Sequence, residues 1–130
     1  MRSLALLYSS FAAAVLIATL SPAHAQTSPD AGQIAYNNAC RTCHSIKEGD
    51  NRLGPSLYGI VGKKAGTVSG YDSSSAMRQS GIVWDEQNLD RFIADPDQVV
   101  HGNAMRPFGG IDVEDERQKI ISYLKSAGGN

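Results

Sequence analysis

Cysteine is scarce in this chain: two of 130 residues, at positions 40 and 43, so whatever the thiols do they do together. No βαβ pattern flanks them, which argues against a thioredoxin-like redox pair. Histidine is scarce as well. A tetrahedral zinc site needs four ligands, and beyond residue 25 only Cys40, Cys43, His44 and His101 could supply them. Basic runs and aromatic-basic interleaving are missing, and the formal charge is only −1, which excludes nucleic acid as a natural partner. No nucleophile and base stand in a recognisable pattern, and the carboxylates gather at helix starts, where capping accounts for them. Repeats and low-complexity tracts are absent too.

One apolar run does occur, and it comes first. Arg2 gives a positive start, Leu4 to Leu20 is mostly apolar with Tyr8, Ser9 and Ser10 interrupting it, and Ala23-His24-Ala25 closes it. This predicts a secretory signal peptide over residues 1–25, cleaved after Ala25, rather than a membrane anchor. No second run follows, so the chain from Gln26 onward is expected to be soluble and periplasmic. It keeps 105 of the 130 residues, enough for one small domain over 26–130. Only Arg2 among the charged residues leaves with the leader, moving the charge from −1 to −2. So small a chain buries a limited core and commonly needs a staple, a metal or a cofactor.

Cys40-Arg41-Thr42-Cys43-His44 names that cofactor. Two thiols three positions apart, followed directly by histidine, make the attachment pattern of a c-type haem. Cys40 and Cys43 add across the two vinyl groups as thioethers, and His44 sits where its imidazole can coordinate iron from one face. For the second axial position Met77, Met105 and His101 are the candidates. Met77 falls in a short helix, where methionine is usually core filler. Met105 lies in Val100-His101-Gly102-Asn103-Ala104-Met105-Arg106-Pro107-Phe108, a loop shaped by glycine and proline and far downstream of His44. Its soft thioether suits haem iron, and His/Met ligation raises the reduction potential.

The pattern around these residues is helical, with little strand signal. Ser28-Pro29-Asp30 predicts a helix start, with Ser28 as hydroxyl cap, Pro29 in the first turn and Asp30 near the positive dipole end, and Ile34 and Tyr36 lie in the helix leading to Cys40. Glycines at 49, 54, 59, 62, 66 and 70 predict a long loop able to lie against something flat. A short helix is expected from Ser73-Ser74-Ser75 to about Gly81. Another should start at an Asp85 cap, carry Leu89, Phe92 and Ile93 inward, and break before Pro96. The last is expected to begin with Asp112 as its cap, bury Val113, Ile120, Leu124 and Ala127, and end at Gly128.

Several spaced motifs together resemble the class I, mitochondrial-type cytochromes c. Gly32, Tyr36, Cys40, Cys43 and His44 match that family's start, and Gly54-Pro55-Ser56-Leu57-Tyr58-Gly59 its G-P-x-L-x-G segment. Gly62-Lys63-Lys64-Ala65-Gly66, Ser80-Gly81-Ile82-Val83-Trp84, Gly102-Asn103-Ala104-Met105, and Glu116-Arg117 with Ile120, Tyr123 and Leu124 follow in order. The resemblance implies an all-α small cytochrome c fold, helices and glycine-rich loops wrapped around one haem. It implies that the Pro55 carbonyl accepts the second ring N–H of His44, and that the Trp84 indole donates to a haem propionate. Gly32 would let the first helix cross the last, with Tyr36 near Tyr123 and Leu124.

The chain also departs from the family. Lys63 replaces a common arginine, Ser73 a propionate-binding tyrosine (Tyr71 is a neighbour that could substitute), and Phe92 an aromatic hydroxyl beside the methionine sulfur. Asp97, Gln98, Asn103 and Ala104 stand where lysines usually rim the haem edge, leaving Arg41, Lys47, Lys63, Lys64 and Arg106 as positive contacts. Weak electrostatic steering toward partners follows. With both axial positions filled, the expected role is a monomeric one-electron carrier between membrane or periplasmic redox proteins, and not an enzyme. The competing class is a haem enzyme or gas sensor with an open distal site, of which the four-helix cytochrome c-prime would be the extreme.

Overall fold

A computed structural model describes residues 30–128. The expected leader, with Ser28 and Pro29, lies outside the described residues. Five helices follow in order: α1 Ala31–Ala39, α2 Ser75–Gln79, α3 Glu86–Ala94, α4 Pro96–Val99 and α5 Glu114–Ser126. Among the described residues the sole extended pairing is an isolated antiparallel bridge between Lys64 and Val83.

Local chemistry sets the helix boundaries. Asp30 caps α1 in place of the expected Ser28, its side chain accepting from the Gly32 N–H, and Ser74 accepts from the Met77 N–H to start α2. Asp85 takes the Asn88 N–H at 2.7 Å and caps α3. That helix stops before Pro96, as expected. Pro96 then opens α4 as its first residue, with Asp95 accepting from the Gln98 N–H. This single extra turn was not among the expected elements, although Asp95-Pro96 is a helix-start pattern.

The start of α5 corrects two expectations. Asp112 is not the cap: Val113 holds that position, without any side-chain capping bond. The Arg117 guanidinium reaches back to the carbonyls of Ile111 (2.9 Å) and Asp112 (2.8 Å), fixing the approach so that the helix begins one residue later. Glu114, Asp115 and Glu116 supply the negative charge that suits its amino end. Val113 therefore precedes the helix, escapes its periodicity and is 58% exposed; the buried stripe is Ile120, Ile121 and Leu124.

α1 crosses α5, and glycine permits it. A Cβ on Gly32 would lie 2.6 Å from the Lys119 carbonyl oxygen and 2.9 Å from the Tyr123 Cβ. Beside that crossing the Tyr36 and Tyr123 rings meet at 5.4 Å, tilted by 44°. α3 packs on α5 from another side, tied by an ion pair between Asp90 and Arg117 at 2.8 Å. The long glycine-rich segment runs without a helix from the end of the Cys-x-x-Cys-His turn to α2. These elements enclose a cavity bordered by the apolar core, to which Trp84, Leu89, Phe92, Ile93, Ile120 and Leu124 belong.

Candidate cofactor site

The cavity measures about 340 Å³ and its wall is mostly apolar. At the end of α1 the chain turns tightly: the Cys40 N–H bonds to the Tyr36 carbonyl at 2.8 Å, and the Cys43 and His44 N–H groups both return to the Cys40 carbonyl, at 3.1 and 2.9 Å. This turn brings Cys40, Cys43 and His44 onto one wall. Neither cysteine is in a disulfide, and both are half-buried. Burial, reinforced by the neighbouring Cys43, pushes the Cys40 thiol up to about 12. Before attachment it is therefore a protonated thiol at neutral pH, unlike the low-pKa cysteines of nucleophilic catalysis.

The imidazole is held from behind. The Gly54 N–H bonds to the Cys43 carbonyl at 2.8 Å, and the Leu57 N–H to the Ser45 carbonyl at 2.7 Å. These two bonds zip residues 54–57 along the histidine and aim the Pro55 carbonyl at its ring. His44 Nδ1 lies 2.7 Å from that oxygen. A carbonyl can only accept, so Nδ1 carries the proton and Nε2 keeps a lone pair. Burial lowers the His44 pKa against the opposing pull of the Pro55 bond, which keeps the ring neutral and able to ligate. Gly54 makes this approach sterically feasible: a Cβ there would lie 2.7 and 2.8 Å from the two ring nitrogens. The Tyr36 hydroxyl donates to the His44 carbonyl at 3.0 Å, closing the turn from the helix side.

Trp84 forms part of the floor. Its backbone is pinned by Lys63 and Gly62 at 2.9 and 2.8 Å, and its ring meets Phe92 at 4.9 Å. The residue is buried and borders the cavity. Tyr71 and Ser73 both border the cavity, but the Tyr71 hydroxyl already donates to the Leu53 carbonyl at 2.7 Å. Lys63 is exposed, directs its ammonium to the Tyr58 carbonyl at 2.9 Å and does not line the cavity.

On the remaining wall, Met105 lies in the loop after α4, and Met77 also borders the cavity from α2. His101 is exposed and does not line it. Sequence reasoning missed what holds the Met105 loop. Asn103 is 6% exposed; its Oδ1 accepts the Met105 N–H at 2.9 Å, while its Nδ2 donates to the Val100 carbonyl (3.0 Å) and to Asp97 (2.9 Å). An amide in place of a lysine read as a missing charge, and nothing in sequence spacing marked it as a clamp. Gly54 was visible as part of a motif, without the ring contact that explains it.

A mostly apolar cleft with two thiols on one wall and a neutral imidazole of fixed tautomer beside them fits a flat apolar macrocycle. Fold and site together define a haem-binding protein of the cytochrome c kind. The comparisons agree: the Cytochrome c family model matches residues 29–128, and the chain belongs to that family. Cytochrome c2 iso-2 of Magnetospirillum molischianum is 45% identical over 87 residues, covering 67% of this chain and 89% of that one. Cytochrome c of Euglena viridis is 38% identical over 95 residues, covering 73% and 92%. Among solved structures, cytochrome cH from Methylobacterium extorquens matches with a TM-score of 0.69 at 39% identity, covering 75% of this chain and 97% of that one. The small cytochrome c fold, covalent haem c as cofactor and a role as an electron carrier between redox partners follow for this chain. No helix among the described residues is long and apolar enough to cross a membrane.

Proposed function

We propose that residues 26–130 form a soluble, monomeric, periplasmic one-electron carrier whose haem iron is held by His44 and Met105, with residues 1–25 removed on export. When bound, haem c supplies a single iron centre that gains and loses one electron. Cys40 and Cys43 tether it, and the Pro55 carbonyl fixes the His44 ring while making its Nε2 more basic. The Trp84 indole N–H would be satisfied by a propionate. Phe92, Leu89, Ile93 and Ile120 keep water from the inner wall, which keeps the surroundings the same in both oxidation states.

The observation that carries this reading is the 2.7 Å contact between His44 Nδ1 and the Pro55 carbonyl, inside a cavity that Met105 also borders. Met105 is favoured over Met77 because its loop backbone is fixed by Asn103, whereas Met77 is part of a helix. The sequence around Met105 also resembles the family's methionine segment. Its donors and acceptors are membrane or periplasmic redox proteins.

Intact mass and a potentiometric titration test the proposal together. A periplasmic chain beginning at Gln26 and heavier by one haem, titrating as a single one-electron wave, is expected. An unmodified mass, or a cytoplasmic chain retaining residues 1–25, would contradict it.

A further inference from the structure

Met105 is bracketed by a hydrogen-bonded unit that converges on one carboxylate. Asp97, in the single turn of α4, accepts the Asn103 Nδ2 on one oxygen at 2.9 Å and the Arg106 guanidinium on the other at 2.6 Å. Asn103 and Arg106 stand on either side of the Ala104-Met105 pair. Asn103 also holds the Met105 N–H at 2.9 Å and the Val100 carbonyl at 3.0 Å, so three bonds radiate from one buried amide.

The three members are unequal. Asp97 and Arg106 side chains are 44% and 73% exposed, so solvent screens their ion pair. The Asn103 amide is buried, and losing it removes the partner of the Met105 N–H and the tie from the loop to Asp97, while the Val100 carbonyl keeps the Asn103 backbone N–H. Nothing comparable holds the segment beyond the loop until the Ile111 N–H bonds to the Ile93 carbonyl at 2.9 Å.

We propose that Asn103 and Asp97 are positioning residues for Met105: their hydrogen bonds set how often the 103–106 segment swings away from the cavity. This rests on the assignment of Met105 as a ligand. When the segment swings out, a small neutral base can take the place of the thioether. Asn103 is the main hold, Asp97 anchors it to α4, and Arg106 adds little.

The test uses the ferric holoprotein and imidazole as the entering base, at concentrations where loop opening limits the binding rate. Asn103→Ala is expected to speed binding about ten- to a hundredfold, because a buried three-bond amide is lost. Asp97→Ala should speed it about three- to tenfold. Asp97→Asn, which keeps an oxygen for the Asn103 amide, should recover most of the native rate. Ile121→Val serves as a control: it loosens the core under α5, lowers the unfolding midpoint and should leave the binding rate within about twofold. Native-like rates in both Asn103→Ala and Asp97→Ala, or an equal acceleration in Ile121→Val, would overturn the clamp alone. A far-red methionine-to-iron band that survives Met105→Ala would overturn the ligand assignment and the clamp with it.

Discussion

The two walls of the cavity are held in different ways. On the His44 side, backbone groups do the holding: the Cys43, Ser45 and Cys40 carbonyls are all engaged by nearby N–H groups, and the ring is tied to a proline carbonyl. On the Met105 side, side chains hold the loop, through one buried amide and one exposed ion pair. Backbone bonds persist under most substitutions, whereas a side-chain clamp is lost with one. The histidine wall is therefore built as a fixed mount, and the methionine wall as a closure whose tightness sequence can tune. Under the proposed His44/Met105 ligation the carrier needs both walls, and the geometry points to the Met105 side as the adjustable one.

Four substitutions or conditions would break or sharpen that contrast. Gly54→Ala should be the most damaging, since a side chain there overlaps the His44 ring. The yield of covalently haem-loaded protein, measured as haemochrome per mole of chain, is expected to fall at least about tenfold, the scale of a severe packing clash. Gly32→Ala strikes the α1–α5 crossing beneath both walls. It should cost about 1–3 kcal/mol in guanidinium unfolding while leaving the haem spectrum native-like. Tyr36→Phe removes only the hydroxyl that donates to the His44 carbonyl, at about 1 kcal/mol in the same assay. A loss much greater than that would mean that the mount depends on a side chain after all.

Ionic strength should have the smallest effect. The positive rim is thin, and the structure thins it further: Arg106 is paired with Asp97, and Lys63 turns to the Tyr58 carbonyl. Electron-transfer rates with a purified membrane or periplasmic partner are expected to fall only gently as salt rises, because few charges steer the encounter. A steep fall would show that Arg41, Lys47 and Lys64 act as a concentrated docking patch.

Much of this was readable before any coordinates. Cys40, Cys43 and His44 are adjacent in the chain, so their chemistry is local and their spacing sufficient. Asp85 before an apolar stripe marked α3, and Pro96 marked its end. The misreadings share one cause: each depended on a side chain folding back over a few residues, which residue spacing alone does not show. Asp112 looked like a cap until the Arg117 guanidinium was seen holding its carbonyl, and Val113 fitted the α5 stripe only on paper. Asn103 looked like an absent lysine because its partners, Asp97 and the Met105 N–H, come together only when the loop folds back on α4. Trp84 stands on resemblance alone; the structure adds that its buried ring borders the cavity.

The most direct measurement is the far-red absorption of the ferric holoprotein, compared among the native chain, Met105→Ala and Met77→Ala. A low-spin ferric spectrum is expected, with the weak methionine-to-iron band present in the native protein and in Met77→Ala and lost in Met105→Ala. A high-spin native spectrum that takes up external ligands readily at neutral pH, or a band that survives in Met105→Ala, would contradict the closed His44/Met105 coordination and favour a haem protein with an open face.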